Sequence, residues 1–302
     1  VVLDVEKIPL PSLKLKKDRL KNLKKNNNFK FFKTDLSNYG ALEKIFKKNK
    51  ITQIVHFAAQ AGVRYSLSHP KAYLKSNLIG FFNILEIAKK FNIKNMIISS
   101  TSSVYGSNKK IPFEEKDKTE FPRSFYAASK KSNEVMAYAY SELYGLNITC
   151  LRFFTVYGPW GRPDMALFKF VKNIYENKKI DVYNFGKHKR DFTYITDIVN
   201  AVDKILFNAK YKKKLKNKKI PFETFNLARS KPEKLLTFIK IIEKNLNKKA
   251  MINYLPMQKG DALDTFGINK KIKNEFKINF EVNLNEGISK FILWYKKYYK
   301  LK

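Results

Sequence analysis

The sequence has one cysteine, three histidines and only seven arginines among its 302 residues. A lone Cys150 excludes an internal disulfide. His56, His69 and His188 lie far apart, and with a single thiol they make no ligand pattern, so no metal is expected. No apolar run reaches the roughly 20 residues of a membrane-spanning helix, so no membrane partner is expected. The opening residues do not read as a signal peptide, and a soluble cytoplasmic protein is expected. The shortage of arginine also bears on the net charge of +35. That charge is nearly all lysine, and Asn, Ile, Phe and Tyr are plentiful beside it. The combination reads as AT-rich codon bias acting on solvated faces. A surface gripping phosphates more often recruits Arg forks, and no nucleic-acid partner is expected. The runs YKKKLKNKK (211–219) and KKNNNFK (24–30) read as exposed loops.

What is present is a regular alternation. FKFFKTD (29–35), ITQIVHFAA (51–59), NMIISS (95–100), NITCLRFF (147–154) and ETFNLA (223–228) read as strands. Between the first four, apolar residues recur at intervals of three and four, as on one face of a helix. Strand–helix alternation of this kind predicts an α/β fold with a doubly wound parallel sheet. The regularity weakens after about residue 155, where VYGPWGRPDM (156–165) reads as a loop into a smaller α/β lobe. The expected division is 1–155 and 156–302, with strands near 190–230 returning to the first part.

Ligands of such sheets bind at the carboxyl ends of the strands. The polar residues there are Asp35, His56–Gln60, Ser99–Ser103 and Thr155. A Tyr followed four residues later by Lys recurs at Tyr105, Tyr126, Tyr175, Tyr183 and Tyr298, so the spacing alone selects nothing. Only Tyr126 follows a hydroxyl-rich strand end, TSSVYG, and has its lysine, Lys130, one helical turn on and on the same face. A free tyrosine titrates near 10, so ionising it at neutral pH takes roughly 4 kcal/mol. A neighbouring ammonium favours the phenolate, and the Thr101 hydroxyl can share the proton. The alternative is an ordinary amphipathic helix with a surface Tyr–Lys pair.

IVHFAAQAGVRYSLSHP (54–70), SSTSSVYG (99–106), FYAASKKSNEVMA (125–137), LRFFTVYGPWGRPDMALF (151–168), RDFTYITDI (190–198) and LPMQKGD (255–261) together carry a resemblance nearly end to end. The chain resembles the extended short-chain dehydrogenase/reductases, within them the nucleotide-sugar epimerases of the UDP-glucuronate 4-epimerase type. The resemblance implies a Rossmann-like sheet, NAD as cofactor, a UDP-sugar as substrate and a homodimer built on the helices of residues 77–91 and 126–144. It implies Thr101, Tyr126 and Lys130 as the catalytic set. Asp4, Asp35, Leu36, Ala58, Ala59, Gln60 and Asn77 would join Tyr126 and Lys130 along the cofactor. Ser102, Ser103, Thr155 and Arg162 would surround the sugar. Tyr183, Arg190, Gln258 and Asp261 would take the nucleotide and its diphosphate. Dehydratase relatives carry Asp-Glu where Ser102 and Ser103 stand, and decarboxylating relatives keep a Glu. Two serines cannot do that acid–base work, which leaves oxidation and re-reduction at carbon 4. Their hydroxyls suit a sugar carboxylate. A neutral UDP-hexose or UDP-acetamidohexose is the alternative substrate.

The family's first strand and G-x-x-G-x-x-G loop have no counterpart in this sequence, which opens VVLDVEKIPLPSLKLKKDRL. That opening matches the family's second strand, with Asp4 at the ribose-binding position. The chain is therefore expected to be a fragment of a longer protein, with an unfilled central place in its sheet and weak NAD binding as it stands. An inactive member of the family is the further alternative.

Overall fold

The computed structural model describes residues 2–4, 13–258 and 260–301, with side chains from residue 13 onward. The first lobe runs β1 (Val2–Asp4), α1 (Leu13–Leu23), β2 (Phe31–Lys33), α2 (Tyr39–Lys48), β3 (Gln53–His56), α3 (Val63–Ser68), α4 (Pro70–Tyr73), α5 (Gly80–Lys90), β4 (Asn95–Thr101), α6 (Phe125–Tyr144) and β5 (Ile148–Phe153). It continues into β6 (Thr155–Tyr157), α7 (Ala166–Tyr175), β7 (Ile180–Tyr183), β8 (Lys189–Tyr194), α8 (Ile195–Phe207), α9 (Ala209–Lys216) and β9 (Phe222–Leu227). The remainder is β10 (Pro232–Lys234), α10 (Leu235–Leu246), β11 (Ile252–Leu255), β12 (Asp264–Thr265), α11 (Lys270–Phe276) and α12 (Leu284–Tyr299).

The main sheet has the order β3-β4-β5-β9, every pair parallel. Its strands alternate faces, and the sequence shows why both faces are covered. Met96 and Ile98 of β4 and Ile148 and Cys150 of β5 join a core with Leu42 of α2, Phe81 and Leu85 of α5 and Ala137 of α6. Ile97 and Leu151 point the other way, into a core with Ile198 of α8, Tyr211 of α9 and Phe276 of α11. Each fully buried Phe or Leu contributes about 1.5–3 kcal/mol, so the two cores fix the helices on opposite faces.

β1 and β2 pair parallel to one another, and among the described residues no ladder joins β1 to β3. Val55 and Phe57, on and just after β3, are 40% and 44% exposed.

The second lobe carries two small sheets, β10-β8-β12 with β6 beside β8, and β11-β7. β9 pairs with β5 in the main sheet, whereas β8 lies in the smaller sheet with β6, β10 and β12. α1 precedes β2 in the chain yet buries Leu15 in the second lobe's core, with Phe168, Phe291 and Tyr295. The run 211–219, expected as a loop, is helical through Lys216. Tyr211 and Leu215 bury against the sheet, and that apolar pair outweighs the lysines between them.

Candidate active site

Thr101 closes β4, and a single 3-10 turn, Ser102–Tyr105, follows it. The Thr101 side chain accepts from the Ser103 backbone N–H at 3.2 Å and lies 3.3 Å from the Ser103 hydroxyl. This cap holds Thr101, Ser102 and Ser103 together at the strand end. α6 starts one loop later. The Ser124 hydroxyl accepts from the Ala127 N–H at 3.1 Å, an N-cap that sets where the first turn begins, and Gly145 ends the helix in the left-handed region. Tyr126 is therefore in the first turn and Lys130 in the second.

Lys130 is 2% exposed, and its ammonium donates to the Ser99 hydroxyl at 3.2 Å. Burial pushes its pKa down to about 8, against the opposing pull of the Cys150 sulfur and the Glu134 carboxylate. His56 beside it is pushed down to about 3 by burial and by the Lys130 charge, so it is a neutral core histidine. Burial raises the Tyr126 phenol. A hydrogen bond with Thr101 and the positive charge of Arg162 act the other way, and burial wins. In this state the phenol keeps its proton at neutral pH, and Arg162, rather than Lys130, is the cation that bears on it.

Arg162 sits in the loop after β6. It donates to both Asp164 oxygens, at 3.0 and 2.5 Å, and to the Ala61 carbonyl at 3.3 Å. Its charge also bears on Tyr73, whose ring meets that of Tyr126 edge-on at 6.1 Å and whose hydroxyl donates to the Gly62 carbonyl. Thr155 opens β6 opposite Phe192 of β8.

The loop after β3 carries Ala58, Ala59 and Gln60. Asn77 lies in a π-helical segment, Leu74–Ile79, whose extra residue per turn re-aims its side chain. Asn77 accepts from the Gln60 N–H at 2.7 Å. It also donates to the Gln60 carbonyl and to the Ser129 hydroxyl, both at 2.9 Å. Asp35, just after β2, accepts from the Ser37 N–H and hydroxyl at 2.9 Å and pairs with Lys75 at 2.8 Å. Leu36 packs so closely that a Cβ on Gly80 would stand 3.0 Å from its own. The side chain of Asp4, at the end of β1, is outside the described residues.

The residues expected at the nucleotide form a second group. The Arg64 guanidinium stands 4.5 Å from the centre of the Tyr183 ring and 3.5 Å from the Asp261 carboxylate. Arg190 donates to the carbonyls of Ala262 and Leu263 at 2.7 and 2.6 Å and so pins the loop holding Gln258 and Asp261. The Gln258 side-chain oxygen is buried with no partner among the described residues.

Sequence reasoning assigned no role to three contributors. Ser99 receives Lys130, Ser129 bridges α6 to Asn77, and Arg64 links Tyr183 to Asp261. All three stand inside quoted motifs, and their contacts cross between elements, where no spacing rule reaches.

Lys130 suits a dinucleotide. An ammonium has three donors, and among the described residues one meets a protein acceptor, which leaves donors for ribose hydroxyls. Asp35 and Leu36 follow strand β2, and Asn77 ties the Gln60 backbone to α6 through Ser129. A doubly wound parallel sheet with polar residues at its carboxyl edge is the setting in which such folds bind dinucleotides. The chain belongs to the NAD dependent epimerase/dehydratase family, whose model matches residues 12–227. It is 45% identical over 301 residues to protein CapI of Staphylococcus aureus, covering 96% of this chain and 89% of that protein. It is 41% identical over 283 residues to the UDP-glucuronate 4-epimerase of Thermodesulfobacterium geofontis, covering 93% and 84%. The solved UDP-glucuronic acid 4-epimerase of Bacillus cereus, in complex with UDP-glucuronic acid and NAD, superposes with a TM-score of 0.89. It is 30% identical, with 98% of this chain and 90% of that chain covered. Among the described residues no helix is long and apolar enough to cross a membrane, and no His, Cys, Asp and Glu group could hold a metal ion.

Proposed function

We propose that this protein is an NAD-dependent isomerase that inverts carbon 4 of UDP-glucuronate to give UDP-galacturonate through a 4-keto sugar. The observation that supports the residue roles is that Tyr126 lies one helical turn before the buried Lys130, with the Thr101 hydroxyl and the Arg162 charge both acting on its phenol. NAD, when bound, would supply the hydride acceptor and donor for carbon 4. Tyr126 Oη takes the proton of the sugar's 4-hydroxyl and later gives it back. Thr101 Oγ1 orients that phenol. The Lys130 ammonium holds the cofactor's ribose, and the Arg162 charge favours the phenolate. Ser102, Ser103 and Thr155 offer neutral hydroxyls to the sugar carboxylate. Arg162 offers the charge that meets it, exchanging its hold on Asp164 and Ala61.

At the other end, Tyr183 presents a ring face to the uracil, and Arg190, Gln258 and Asp261 serve the nucleotide and its diphosphate. Asp35, Leu36, Ala58, Ala59, Gln60 and Asn77 line the dinucleotide. The protein works in the cytoplasm as a homodimer through α5 and α6. Exposed Phe82 on α5 and exposed Val135 and Tyr138 on α6 support that pairing. Incubating the full-length protein with UDP-glucuronate and resolving the products by anion-exchange chromatography tests the function. UDP-galacturonate is expected, and its absence from a preparation holding NAD overturns the reading. Sedimentation tests the dimer.

A further inference from the structure

The catalytic roles leave one buried cluster without a task. Glu134 and Arg152 are 4% and 5% exposed and form a two-pronged ion pair. Arg152 Nε donates to one Glu134 oxygen at 2.9 Å and Nη2 to the other at 2.8 Å. The first oxygen also accepts from the Ser100 hydroxyl at 2.6 Å. Arg152 Nη1 donates to the Tyr105 hydroxyl at 3.1 Å, and that hydroxyl donates to Asn226 at 2.6 Å. One network thus ties α6 to β4, β5, β9 and the turn that follows Thr101.

Stability does not account for such a pair, because replacing a buried ion pair by well-packed apolar groups is often neutral or stabilising. Placement does account for it. Glu134 lies one helical turn beyond Lys130 on the same face of α6. Its partner Ser100 stands between Ser99, which receives the Lys130 ammonium, and Thr101, which bonds the Tyr126 phenol. We propose that Glu134, with Arg152 as its counter-charge, is a positioning residue for this reaction. It locks α6 in register with the end of β4 and sets a carboxylate behind the Lys130 ammonium. The proposal rests on the reading of Tyr126 and Lys130 as the catalytic pair.

The groups that bear on Lys130 are His56 from β3, Ser99 from β4, Cys150 from β5 and Glu134 from its own helix. His56 is neutral, and burial holds the Cys150 thiol well above its usual value. Burial also pushes Glu134 up, but the Arg152 fork outweighs it and keeps the carboxylate ionised. With the thiol neutral, Glu134 is the anion whose charge favours the Lys130 ammonium against burial.

Two variants of the full-length enzyme test this. Glu134→Gln removes the charge at constant size. It also leaves Arg152 buried without its counter-charge, which can cost stability by itself. The double variant Glu134→Leu/Arg152→Met removes both charges and restores an apolar interior. In both variants kcat is expected to fall about tenfold at pH 7.5. The alkaline limb of its pH profile should move down by about one pH unit. Lysine side-chain NMR, with the Lys130 resonance identified by its loss in Lys130→Met, should show the same downward move without substrate. A double variant with wild-type kcat, or with Lys130 titrating where it does in the wild type, overturns the proposal. If the wild type forms no epimer, the functional reading fails, and the Lys130 titration still decides the role of Glu134.

Discussion

Lys130 and Arg190 are the cations at the two ends of the proposed site, and they are held in opposite ways. Lys130 is 2% exposed, on a capped 20-residue helix, against a strand buried on both faces. Arg190 stands on a short strand, and the carbonyls of the loop around Ala262 hold it. The catalytic end is dry and built on regular elements, where burial shifts pKa values and small misplacements are costly. The nucleotide end is built on loops and stacked side chains, Arg64 on Tyr183 among them, which can adjust when a ligand enters. Changes at the first end should therefore appear in turnover, and changes at the second in KM.

The largest effect is expected at Tyr126. Tyr126→Phe should lower kcat by about 100-fold or more, the usual scale for a positioned proton-transfer group. Steady-state turnover near that of the wild type would dissolve the contrast between the two ends.

Lys130→Met should sharpen that contrast by separating activity from stability. Turnover and NAD retention should fall, while the folded state gains. The folded-state pKa of about 8 lies below the ordinary 10.5, so the unfolded chain binds more protons between those values. This group's contribution therefore rises as pH increases through that window, and its penalty is fully present below 8. Removing it should stabilise the protein at pH 7 by up to about 3 kcal/mol, readable by urea denaturation. The same titration predicts that wild-type turnover declines as pH passes about 8. A Lys130→Met variant less stable than wild type would show that burial of the charge is not the dominant cost.

Next in size is the sugar carboxylate. A hydrogen bond to a charged group is worth about 1.5–3 kcal/mol, so Thr155→Val should cut the preference for UDP-glucuronate over UDP-glucose by about 10- to 100-fold. Equal use of both sugars by the wild type would shift the reading to a neutral-hexose epimerase. Arg162→Ala should release a UDP-pentose, because the 4-keto acid is prone to lose carbon dioxide once its carboxylate is unrestrained. An unchanged product ratio would make Arg162 a loop residue.

Smaller effects belong to the nucleotide end. Arg190→Lys loses the fork that pins the 262–263 carbonyls and should raise KM about tenfold with kcat nearly kept. Tyr183→Phe keeps the ring and should change KM by about threefold or less. A large kcat defect in either would break the division between the two ends.

The order of strands and helices was legible because apolar periodicity is a local property. Met96, Ile97 and Ile98 alternate between two cores, just as a strand buried on both faces requires. Tyr126 and Lys130 stood out as candidates because they follow the hydroxyl-rich end of β4, since their spacing alone recurs at five tyrosines. Charge density was a poorer guide, as α9 shows: Tyr211 and Leu215 decide its state, not the lysines around them.

What the sequence by itself determined, then, is the alternation of elements, the family motifs and the set of candidate residues. Only the tertiary structure decided that α1 buries Leu15 in the second lobe, that Arg162 rather than Lys130 is the cation bearing on the Tyr126 phenol, and that Arg64 joins Tyr183 to Asp261. The same holds for the pairing of Glu134 with Arg152 beneath the catalytic helix. Each of these depends on burial and on distances between groups far apart in the chain. A pKa or an ion pair is set by what surrounds a group in space, and periodicity reports only what surrounds it along the chain.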